Sequence, residues 1–113
     1  MSGIIWVTSE AIVGKRITRT LGGVRGNAIR ARHLGRDFLA FLKNLVGGEL
    51  RDYTKLMAQA REQALDRMID DARALGANAV IQVRFATAEI ASGAAEILVY
   101  GTGVVIEEEE PIG

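Results

Sequence analysis

Cysteine is absent from the 113 residues. That excludes disulfides, thiol nucleophiles and thiolate metal sites. Proline occurs once, which argues against a disordered, linker-like chain. Histidine also occurs once, as His33. A serine–histidine–acid triad would have to use it, yet it stands between Arg32 and Arg36 at a strand-to-helix junction and reads as a capping or surface residue. No apolar run approaches the ~20 residues of a membrane span. The opening "MSGIIWVTSE" lacks the basic and long apolar regions of a signal peptide. The expectation is a cytoplasmic protein without a membrane partner. An overall basic excess is lacking too, since 14 Lys and Arg balance 14 Asp and Glu.

What is present fits one ordinary globular domain, 49% hydrophobic and 25% charged. A chain this short has a limited core, so self-association is an option. The balanced charge is unevenly spread. Residues 1–48 carry eight basic and two acidic side chains, and residues 49–113 carry six and twelve. Two halves of +6 and −6 suggest mutual neutralisation, within one subunit or between neighbours. Arg16, Arg19, Arg25, Arg30 and Arg32 leave phosphate contacts open. The lack of interleaved aromatics there argues against nucleic acid.

The pattern changes twice along the chain. Residues 4–32 are strand-like, with a short apolar strand at Ile4–Val7 and a turn at Gly14. A longer strand, or a bulged pair, then runs from Ile17 to Ala31 with a bend expected at Gly22-Gly23. Residues 33–75 are helical. Leu34, Phe38, Phe41, Leu42 and Leu45 form one stripe. Tyr53, Met57, Ala60, Ala64, Met68, Ala72 and Leu75 form another, widened by Leu56, Leu65 and Ile69. Small Ala60 and Ala64 predict close packing, and Gly76 is placed to stop the helix. Residues 79–107 return to strand. Ile81, Val83 and Phe85 are expected on one face and Gln82 and Arg84 on the other. "ASGAA" turns the chain into a partner strand, a hairpin signal. Gly101 and Gly103 leave one face of that strand bare for a close neighbour. Glu107–Glu110 reads as a solvated tail.

Three glycine motifs resemble phosphate sites only superficially. Gly47-Gly48 lies between two helical stripes, not between a strand and a helix, so it reads as a joint, with Glu49 and Asp52 suiting the start of the second helix. "VGKRI" would need Gly at position 9 and Ser or Thr at 16 to be a P-loop; Ser9 and Arg16 stand there. "LGGVRG" would need Gly in place of Leu21 and a helix directly after it. Glu62, Asp66 and Asp70 recur every fourth residue and form an acidic ridge. Carboxylates can hold a hard divalent metal ion, whereas a soft metal prefers sulfur or imidazole. The competing reading is a solvated face, or one that meets Arg from another subunit.

"GKRI" (Gly14–Ile17), "VGG" (Val46–Gly48), "ARALGANAVIQV" (Ala72–Val83) and "GTGVV" (Gly101–Val105) occur in an order and spacing that resembles the YbjQ-like family, small bacterial and archaeal proteins with a heavy-metal-binding label. The resemblance spans nearly the whole chain, and "ALGANAV" is its most specific block. It implies an α+β subunit, an antiparallel sheet with two helices packed on it in a dodecin-like fold, assembling as a ring-shaped homopentamer. It brings no reaction and no ligand motif. The expectation is a non-enzymatic assembly protein with any ligand or ion in its pore or interfaces. The alternatives are a metal-binding module on Glu62, Asp66 and Asp70, and an enzyme whose site is composed across subunits.

Overall fold

The apolar stripe that ends at Gly76 is the strongest local signal in the sequence. The computed structural model, which describes residues 3–30, 49–90 and 94–109, forms a helix there. Helix α1 spans Glu49–Leu75. Ala60, Ala64, Leu65, Met68 and Ala72 are its buried stripe, and Met57 and Ile69 pack at the margin. Leu75, expected on that stripe, is 46% exposed. The reason is the helix stop. Gly76 takes φ +95°; its N–H donates to Arg73 O and the Ala77 N–H donates to Ala72 O. This Schellman turn directs Ala77, instead of Leu75, into the core beside Ala72.

Four strands form one sheet in the order β1-β3-β4-β2. They are β1 (Ile5–Trp6), β2 (Lys15–Arg30), β3 (Ala79–Ile90) and β4 (Ala94–Glu108). The expected hairpin is β3–β4, antiparallel to its tip at Ile90 and Ala94. β2 lies antiparallel along the other side of β4 from Lys15–Glu108 to Arg30–Ala95. The bend expected at Gly22-Gly23 falls where the register shifts between Thr20 and Gly22. The sheet is mixed and not purely antiparallel, because β1 pairs parallel with β3. β1 and β3 are separated in sequence by β2 and α1, a crossover long enough to return the chain in the same direction.

α1 covers one face of the sheet. Val24, Ala28, Val80, Val83, Ile97 and Val99 meet its stripe. The approach is close enough that a Cβ added to Gly26 would lie 2.2 Å from Ala64 O, which fits the small helix residues opposite. The bare face of β4 is filled by neighbours, with Val80 Cγ1 at 2.8 Å from a Cβ added to Gly101 and Ala77 Cβ at 3.3 Å from one added to Gly103. On the other face a smaller cluster joins Ala79, Val104 and Ile106 under Ile12, Ile17 and Ile81.

One further expectation changes. Glu107 and Glu108 belong to β4 and face Arg16 and Lys15 in an ion pair each, so part of the charge asymmetry closes within the subunit. Their cross-strand partners hold them in the ladder, where a free tail was expected. The predicted first helix with Leu34, Phe38, Phe41, Leu42 and Leu45, the Gly47-Gly48 joint, His33 and the turn residues 91–93 lie outside the described residues. No described helix is long and apolar enough to cross a membrane.

Candidate functional site on the open sheet face

Strict alternation would put Ile81, Val83 and Phe85 on one face of β3. A bulge prevents this. Ile81 pairs with Thr102 and Arg84 with Tyr100, so β3 spends one residue more than β4 over that interval. Gln82 carries the irregularity at φ +54°, the one left-handed residue other than glycine among the described residues. As a result Val80 and Val83 both enter the core under α1, while Ile81 joins the opposite cluster. The chain after β1 satisfies the bulge. The Gln82 N–H donates to Ser9 O at 2.9 Å and the Val83 N–H to Val7 O at 3.0 Å. Arg84 Nη1 donates to Thr8 O at 2.8 Å and Val83 O at 3.0 Å.

The extra residue opens a shallow depression of about 290 Å³ lined by Gln82, Arg84, Tyr100, Gly101 and Thr102. None of the five is acidic. Tyr100 pairs across the sheet with Arg84 on one side and Arg25 on the other, so two guanidinium side chains flank one phenol on the same face. Arg25 is exposed, and its side chain has no ion pair among the described residues. Glu96, further along this face, already accepts a 2.7 Å hydrogen bond from Asn27 Nδ2. The depression therefore combines positive charge, a phenol, a hydroxyl and a carboxamide. Such a set can hold an anion by charge-assisted hydrogen bonds.

Alternation rules hid this site. The consecutive apolar run Ala79-Val80-Ile81 ahead of Gln82 was the available hint, because a strand burying one face does not need three in a row.

Glu62, Asp66 and Asp70 lie exposed along α1. Asp70 accepts from Arg73 Nη1 at 3.0 Å. Among the described residues, no group of three His, Cys, Asp or Glu side chains is arranged to hold a metal ion. The polar residues next to the ridge bind the sheet instead. Asp71 Oδ2 accepts the Arg25 backbone N–H at 3.0 Å, and Arg67 Nη1 donates to Asn27 O at 2.7 Å. They satisfy outward backbone groups of edge strand β2, which shields that edge from further pairing.

A family model described as "Putative heavy-metal-binding" matches residues 4–107. The chain is 53% identical over 110 residues to a UPF0145 protein of Thermococcus kodakarensis, covering 97% of each. It is 59% identical over 96 residues to a UPF0145 protein of Halorubrum lacusprofundi, covering 85% of this chain and 92% of that one. A UPF0145 protein of Thermus thermophilus is 54% identical over 104 residues, covering 92% and 91%. A solved structure of a DUF74-family protein of unknown function from Pediococcus pentosaceus gives a TM-score of 0.42 at 18% identity, covering 95% of this chain and 99% of that one.

Proposed function

The chain belongs to the YbjQ-like family, a family of unknown function. We infer from the apolar surface its subunit leaves exposed that it works as a homo-oligomer that binds and does not catalyse; that the assembly is a ring-shaped pentamer is what the family resemblance adds. Its ligand, an ion or a small molecule, sits in the pore or at the subunit interfaces. The observation that carries this reading is exposed apolar surface: Ile5, Trp6, Leu75 and Phe85, each 37–46% exposed, supply apolar area for neighbouring copies to cover. A ring member needs two such contacts, one on each side.

Light scattering of the purified chain at micromolar concentration tests this. A mass of about 61 kDa, five copies of 12.2 kDa, supports it, and a folded species of one copy overturns it. A divalent ion on Glu62, Asp66 and Asp70 is a separate proposal with weaker support, because Arg73 already engages Asp70. Calorimetry with divalent ions on wild type and Asp66→Ala decides it, and equal heats from both remove it.

A further inference from the structure

We propose that the depression at the Gln82 bulge binds a small metabolite through an oxyanion, a phosphate or carboxylate group, taken by Arg84, Arg25, Tyr100 and Thr102. This goes beyond the reading above, which puts a ligand in the pore or at an interface, because every residue named here belongs to one subunit. Three features carry it.

The first is the sign of the charge. Arg84 lines the depression and Arg25 lies across Tyr100 from it. Two guanidiniums without an acidic lining residue repel a cation and attract an anion. The second is preorganisation. Arg84 uses Nη1 to hold the carbonyls of Thr8 and Val83, which fixes the guanidinium while Nη2 and Nε keep N–H groups to offer. Arg25 is not held in this way: its backbone N–H donates to Asp71 while its exposed side chain, beside the lining, adds charge. Donors held before binding lose less entropy when the ligand arrives. The third is strain. Gln82 stands at φ +54° in mid-strand, a costly conformation for a residue with a side chain. The depression lies at this bulge, and Gln82 is one of its lining residues. At about 290 Å³ and open to solvent, the depression has room for one anionic group, with the rest of the molecule outside it.

Calorimetry at low ionic strength with inorganic pyrophosphate and with citrate, in separate titrations, tests the proposal against a sodium chloride control of equal ionic strength. Saturable heat with pyrophosphate alone identifies a phosphate ligand, with citrate alone a carboxylate ligand, and with both a general oxyanion site. Each of these supports the proposal. Arg25→Gln is expected to raise Kd about tenfold, the loss of one charge-assisted contact, with melting temperature unchanged. Tyr100→Phe should weaken binding in the same direction. Arg84→Gln is the less clean variant, because it also releases Thr8. No saturable heat from wild type with either probe overturns the proposal, as does equal affinity in wild type and the Arg25→Gln/Tyr100→Phe pair. Light scattering on the same samples separates the two readings. A wrong mass with binding intact removes the ring alone, and a correct mass without heat removes this site alone.

Discussion

A Cβ built on Gly26 lies 2.2 Å from Ala64 O and 2.4 Å from Met68 N, both helix backbone atoms that cannot rotate away. One on Gly23 meets nothing nearer than 3.9 Å. Gly26→Ala should therefore push α1 off the sheet and cost about 3 kcal/mol or more, beyond ordinary overpacking because the clash is with backbone. Gly23→Ala should change stability by less than about 1 kcal/mol. Urea unfolding of the two variants checks the difference, and similar losses would show that the helix can stand further away. Gln82 offers a second single-residue test. Its left-handed backbone costs about 1 kcal/mol, more for a β-branched residue. Gln82→Gly should leave stability equal or slightly higher, and Gln82→Val should lower it by about 2 kcal/mol. A Val variant as stable as the Gly variant would mean the bulge has slipped into regular pairing.

At the scale of elements, the "ALGANAV" block can be read as a single device. Gly76 ends α1 in the left-handed conformation, Ala77 enters the core, and Ala79 starts β3 fully buried. Between them Asn78 acts as a strand residue through its side chain. Its Nδ2 donates to Ile106 O at 3.0 Å, and its Oδ1 accepts the Ile106 N–H at 2.8 Å. The backbone N–H of Asn78 donates to Val104 O. Asn78→Ala should cost about 2 kcal/mol, from two hydrogen bonds lost and the partly buried Ile106 groups left without those partners. Asn78→Asp keeps the acceptor but sets a carboxylate oxygen against the Ile106 carbonyl oxygen, two acceptors face to face, so it should cost at least as much. Equal stability of Asn78→Ala and wild type in thermal unfolding would show that water replaces the side chain. Much of this device was legible beforehand, because helix periodicity, a C-terminal glycine and a hairpin are local signals. The parallel docking of β1 was not, since nothing in the two residues Ile5–Trp6 states which distant strand they join. Nor was the open-face site, because a bulge is a relation between two strands. Reading β3 alone by alternation puts Ile81 and Val83 on the same side, and only the pairing of Arg84 with Tyr100 moves them apart.

For the whole molecule, charge offers the proposed assembly less than the sequence suggests. Lys15–Glu108 and Arg16–Glu107 already neutralise part of the two halves within one subunit, and exposed pairs of this kind stabilise little. Exposed apolar surface is the stronger basis for that proposal. Trp6 on β1 and Phe85 on β3 meet edge to face, with centroids 6.2 Å apart and planes at 72°, yet 37% and 39% of each remains exposed. An aromatic pair left half-covered at the short-stranded edge of a sheet is the kind of anchor that dominates an interface. If the ring is held this way, its mass should persist in about 1 M salt, which screens charges beyond ~3 Å but strengthens apolar contact. Phe85→Asp should then shift the light-scattering mass toward one copy of 12.2 kDa, while circular dichroism keeps the helix and sheet. Phe85→Leu should retain the full mass, because it keeps apolar volume. Dissociation by salt alone would transfer the interface to the charged residues, and an Asp variant of undiminished mass would place it away from the Trp6–Phe85 edge.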